Sequence, residues 1–133
     1  MDEKCVAEYR TADGTTGFTL TEESGYYVLS QWGVVDIEHA RQQADALVGL
    51  ARRLGRRFRV LMPLPASFKE VHPDARRHLA AALLGDDSPF AKWSIYGGSF
   101  TLRAMFNLYL RISKVPARLS ETREQAVAWL EEP

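Results

Sequence analysis

Gly97-Gly98-Ser99 is the place where this chain offers an anion a cradle. Two glycines leave backbone N–H groups uncovered. A serine opening a helix adds a hydroxyl and the positive end of the helix dipole. Arg103, one turn further on, would add a charge-assisted bond to a phosphate or carboxylate. The pattern is neither Gly-x-Gly-x-x-Gly nor a P-loop, and a tight strand-to-helix turn capped by Ser99 explains it more simply.

The densest run of cations is Arg52-Arg53-Leu54-Gly55-Arg56-Arg57-Phe58-Arg59. With Phe58 free to stack on a base, it could serve a nucleic acid. Arginines at a helix C-terminus also complement the dipole, and basic residues alternating outward along the next strand need no ligand. Seventeen basic residues balance seventeen acidic ones, so the net charge is zero. No nucleic-acid partner is expected, and an acidic partner protein suits the run better.

Other chemistry finds little support. His39, His72, His78 and Cys5 lack the clustered spacing of metal ligands, so neither a metal nor a cofactor is expected. There is no Gly-x-Ser-x-Gly elbow, and Cys5 has no histidine nearby in sequence. Asp86-Asp87 and Glu131-Glu132 read as solvated pairs, while Glu70 and Asp74 flank a helix start and suit its dipole. No catalytic residue is assigned, and the chain is expected not to be an enzyme.

The elements that position these residues follow from periodicity. Residues 5–11, 16–21 and 26–32 alternate as strands, with turns at Asp13-Gly14 and Glu22-Glu23-Ser24-Gly25. Asp36 is a natural N-cap for a helix with Ile37, Ala40, Ala44, Leu47, Val48, Ala51 and Leu54 on one face, closed by Gly55. A strand at 57–62 should stop at Pro63 and Pro65. A loop then runs to His72, and Pro73 opens a second helix carrying Ala75, Leu79, Ala82 and Leu83. After a polar break at 85–89 come a strand at 92–96, a helix at 99–113 and a short strand at 115–119. Ser120 is expected to cap a final helix.

The order β-β-β-α-β-α-β-α-β-α predicts an α/β domain: an open mixed, mostly parallel sheet with N-terminal antiparallel hairpin strands and about four helices. At 133 residues, 46% hydrophobic and 26% charged, residues 1–133 are read as one domain with its own core. Met1-Asp2-Glu3-Lys4 is not followed by a signal-peptide stretch, and no window reaches the roughly 18 apolar residues of a membrane helix. With a single cysteine, a cytoplasmic protein without an integral membrane segment is expected.

The helix at 99–113 carries Phe100, Leu102, Met105, Phe106, Leu108, Tyr109, Leu110 and Ile112, more than one helical face can hold. Two faces should therefore be covered, one by the sheet and one by a loop, ligand or partner. If the helix's outer face (Phe106, Tyr109 and Leu110, or Leu102 and Phe106) is exposed, it would form an apolar patch larger than monomers normally show. Large apolar residues at this spacing are more often core, which would leave the helix sandwiched. Phe106 and Tyr109 are the candidate anchors, beside Gly97, Gly98, Ser99 and Arg103 at the rim.

Four segments carry a family likeness. Gly33-Val34-Val35-Asp36 leads into the first helix, and residues 56–62 follow it as a strand. Ile95-Tyr96-Gly97-Gly98-Ser99 precedes the apolar helix. Val115-Pro116-Ala117-Arg118-Leu119-Ser120 runs into a helix ending Ala126-Val127-Ala128-Trp129-Leu130. Over approximately residues 16–131 the chain resembles the STAS domains, in the anti-sigma-factor-antagonist-like (SpoIIAA-like) branch grouped with SEC14-like sequences. That resemblance implies helices packed mainly on one face of the sheet. It also implies a regulatory or interaction module binding a protein partner or forming a homodimer, with a small apolar or acyl ligand as the alternative. Phosphoregulated members carry an Asp-Ser-Ser-Gly-like motif where the second helix begins. The corresponding stretch here, 63–72, has one hydroxyl, Ser67, as a phosphorylation candidate, and lacks the motif's acidic residue and glycine. A carrier should show a closed apolar pocket of several hundred Å3, and an interaction module none.

Overall fold

The computed structural model describes residues 4–133; Met1-Asp2-Glu3, part of the segment read for a signal peptide, lies outside them. The elements run β1 (Cys5–Arg10), β2 (Gly17–Glu22), β3 (Tyr27–Val35), α1 (Ile37–Leu54), β4 (Phe58–Leu64), β5 (Phe68–Val71), α2 (Pro73–Leu83), β6 (Phe90–Gly97), α3 (Phe100–Ile112), β7 (Ala117–Ser120) and α4 (Arg123–Glu131). The sheet has seven strands in the order β1-β2-β3-β4-β6-β7, with β5 beside β3. β1–β2 and β2–β3 pair antiparallel, and every other pair is parallel. A mixed, mostly parallel sheet with an N-terminal hairpin and four helices is what the periodicity predicts.

Strand alternation sorts the two faces. Phe18 and Leu20 on β2, Tyr27 and Leu29 on β3, and Val60 and Met62 on β4 join the main core, which α1, α2 and α3 cover. The opposite face holds a smaller cluster in which Leu61 meets Ala126 and Leu130 of α4. Arg59 donates to the carbonyl of Leu130 (2.7 Å), and Lys92 donates to those of Trp129 (2.9 Å) and Glu132 (2.7 Å). These bonds fix the C-terminal end of α4, where cations complement the negative end of the dipole. Arg59, the last cation of the basic run, is therefore occupied inside the fold.

Three expectations are corrected. β4 does not stop at Pro63 but pairs β6 through Pro63 and Leu64. Its pairing with β3 extends only over Val60 and Leu61, so a residue without an N–H is tolerated beyond that point. The region read as a loop contains β5, which takes up the free half of β3 at Gly33–Val35. The nine residues of β3 thus serve two parallel neighbours along one edge. Lastly, Thr122 rather than Ser120 caps α4. The Thr122 hydroxyl accepts from Gln125 N, and the Gln125 side chain accepts from Thr122 N, a capping box that leaves Ser120 as the buried end of β7.

Candidate functional site

The glycine turn is a structural joint. Gly97 (φ 81°) and Gly98 (φ 91°) both adopt left-handed backbone, and a Cβ on Gly98 would stand 2.7 Å from Leu64 Cδ1. Ser99 caps α3, its Oγ accepting from Leu102 N at 3.2 Å. Arg103 turns back, donating through Nη1 to the carbonyls of Gly97 (2.8 Å) and Ser120 (2.9 Å). Gly97, Gly98, Ser99 and Arg103 do come together, but the guanidinium is used to tie the turn to β7.

Helix α3 divides its apolar residues between core and surface. Leu102 and Phe106 are buried in the core, Phe106 at 8% exposure and edge-on to Phe68 (6.3 Å) and Trp93 (6.0 Å). They do not form an outer face. Met105, Tyr109 and Leu110 are half-buried against the core. Among the described residues four large hydrophobics are exposed, and three of them lie on α3: Phe100 (89%), Leu108 (63%) and Ile112 (64%). With Ala104 they fall at four-residue steps, one continuous stripe facing outward. The sheet covers one face, as expected, and none of the described residues covers this one.

Between α2 and α3, over the sheet, lies a cleft of about 60 Å3 walled by Leu29, Leu79, Leu83, Trp93, Phe106 and Tyr109. Three polar side chains join this apolar wall: Gln31, Gln43 and Arg76. Gln31 is 3% exposed; its Nε2 donates only to Met62 Sδ (3.1 Å), and its Oε1 has no partner. Arg76 Nε is likewise buried without a partner. Each such group costs roughly 1–3 kcal/mol when nothing answers it.

Gln43 links the cleft to a buried histidine. Its Oε1 lies 3.1 Å from Nε2 of His39, which is fully buried between the rings of Tyr9 and Phe18. If Nε2 carries the proton it donates to Gln43, and Nδ1, which has no partner, keeps its lone pair. Burial holds the imidazole below its ordinary value of 6.5, against the opposing pull of the Gln43 bond and the Asp36 charge. Above pH 6.5 the ring is neutral folded or unfolded, so folding is unpenalised. Below it the unfolded chain takes a proton that the folded one refuses. Stability then falls by up to about 1.4 kcal/mol per pH unit until the depressed folded value is passed. Urea unfolding of His39→Leu between pH 7 and 5 should show a flatter acid limb than wild type; identical limbs would refute this assignment.

The remaining candidates lie apart. Ser67 is exposed ahead of β5, its carbonyl accepting from Gly33 N at 2.7 Å, while α2 begins only at Pro73. Arg52 and Arg53 stand exposed in the last turn of α1. Among the described residues no three His, Cys, Asp or Glu side chains cluster as metal ligands, and no helix is long and apolar enough to cross a membrane. Gln31, Gln43 and Arg76 escaped the sequence reading. A signal existed for the glutamines: Gln31 occupies the inward register of Tyr27 and Leu29, and Gln43 falls on the Ala40/Ala44/Leu47 stripe.

An open mixed sheet, three helices on one face and one on the other define a SpoIIAA-like, STAS-type fold. A solved structure described as an uncharacterized protein from the DUF3478 family with a SpoIIAA-like fold, from Shewanella loihica PV-4, superposes with a TM-score of 0.67. The alignment covers 86% of this chain and 93% of that one at 13% identity, a likeness of fold. No protein-family model matches the chain, and no curated protein matches it in sequence.

Proposed function

We propose that this chain is a non-catalytic interaction module of regulatory type, whose working surface is the outward stripe of α3. The supporting observation is the exposure of Phe100, Leu108 and Ile112 on one face of one helix. Apolar patches of this kind on a folded domain mark places where another molecule sits. The occupant that fits is a partner protein presenting apolar side chains rimmed by carboxylates. From Ser88 to Ser120 the sequence contains no Asp or Glu, and Arg111 and Lys114 stand exposed at the end of the stripe. A second copy docked through the same stripe would bring a helix with no Asp or Glu of its own, and so no carboxylate rim for these cations. An anionic membrane would gain only about 1 kcal/mol from each of two such cations, too little to hold a domain. The carrier alternative calls for an enclosed apolar pocket of several hundred Å3; the cleft offers about 60 Å3, and the larger groove of about 420 Å3 beside Arg52, Arg56 and Arg57 is open and lined by charged side chains. In this reading the module works in a reducing compartment such as the cytoplasm, where the free Cys5 stays a thiol.

A photo-crosslinking residue at Leu108, compared with one at the exposed Asp45 of α1, tests the reading in the native host. The expected result is an adduct with a different polypeptide from position 108 only, abolished by Ile112→Asp. An adduct with the chain itself, an adduct with phospholipid alone, or no adduct would each overturn it.

A further inference from the structure

We infer that the cleft between α2, α3 and the sheet binds a small monocarboxylate with a short apolar tail. This stands apart from the docking role of α3, because the cleft lies on the inner side of that helix, against Phe106 and Tyr109. Its walls are almost wholly hydrocarbon, so what enters must be mainly apolar. Its volume, about 60 Å3, suits a few water molecules or a short run of carbon atoms and excludes a long acyl chain.

The polar groups set the other end of the ligand. Arg76 Nε is a buried cationic donor with no acceptor, and no carboxylate pairs with this guanidinium among the described residues. Gln43 has its amide oxygen within reach of His39 Nε2, which leaves its –NH2 as what it can offer. Gln31 is held only by a contact to a thioether sulfur, a weak acceptor. Half a turn about its last torsion, which is broad and two-fold, would release the weak Met62 contact and put the –NH2 where the unpartnered oxygen stands. One cation and two amides then converge as donors on an apolar cleft. A carboxylate accepts from all three, and the charge-assisted bond to arginine is the strongest of them. A neutral alcohol of the same length could accept one of these bonds but would bring the guanidinium no charge.

Calorimetric titration of the purified chain with butanoate, hexanoate and octanoate, and with 1-hexanol as the head-group control, tests this. Hexanoate should bind wild type at least about ten-fold more tightly than 1-hexanol, and Arg76→Met should erase that preference. Arg76 is only half-buried and methionine keeps its stem, so the variant should fold; its unfolding midpoint is measured alongside. Ala80→Leu, which narrows the wall of the cleft, should weaken both ligands together. Leu108→Asp should leave hexanoate binding unchanged, which separates this site from the docking stripe. Equal binding of acid and alcohol, indifferent to Arg76, would overturn the head-group assignment. Absence of binding by every probe at millimolar concentration would reduce the cleft to a hydrated packing feature.

Discussion

Phe106→Ala should cost this domain about 3–5 kcal/mol of stability, a third or more of what a domain of this size holds. The ring is 8% exposed and stands edge-on to Phe68 of β5 and Trp93 of β6, so it locks α3 onto two strands of the sheet. Removing it forfeits the transfer energy of the ring and leaves a void that the sheet cannot collapse into. It would also open the cleft beneath α2 and α3, which Phe106 helps to wall. Urea unfolding followed by tryptophan fluorescence measures the loss directly. Leu108→Ala, two residues along the same helix but 63% exposed, should stay within about 0.5 kcal/mol of wild type. A Phe106→Ala loss below about 1 kcal/mol would mean that α3 is not seated as described.

Gly33→Ala should be comparably severe for a different reason. Gly33 has φ +78°, and a Cβ there would stand 2.3 Å from the Thr15 carbonyl oxygen and 2.4 Å from Thr16 Oγ1. The left-handed backbone alone costs a side chain about 1–2 kcal/mol, and the contact with backbone adds to it, for a total of about 3 kcal/mol or more. The residue is also the hinge of β3: its N–H donates to Ser67 O, and the register of the β3–β5 ladder slips just after it. Hydrogen exchange should therefore accelerate first in β5 (Phe68–Val71), ahead of the β2–β3 hairpin. A wild-type urea midpoint would contradict the close approach.

These two residues also show what was legible in the sequence. The strand and helix periods located ten of the elements, because inward positions such as Phe18, Leu20, Leu29 and Leu47 repeat at two or at three to four residues. β5 stayed hidden because only Phe68 and Val71 of its four residues are buried, a pattern without alternation. Pro63 misled because a proline ends a strand only where its missing N–H is needed, and pairing with β3 has already lapsed there. For α3 the composition announced an excess of apolar surface but not its orientation. That is set by where Phe68 and Trp93 lie, on strands far away in sequence. So Phe106, the expected anchor of an interface, became core, and Phe100, Leu108 and Ile112 became the surface. The glycine turn was readable as a turn, whereas the redirection of Arg103 to Ser120 depends on β7 lying alongside.

The central claim is that the uncovered stripe of α3 receives a partner protein. Its most direct measurement is the affinity of the polypeptide cross-linked at position 108, purified and titrated against wild type and against the Leu108→Asp/Ile112→Asp double variant. Both side chains are exposed, so the double variant should keep the wild-type unfolding midpoint while affinity falls about a hundredfold or more. Unchanged affinity in a correctly folded double variant would show that the partner sits elsewhere and that the stripe is only incidental surface.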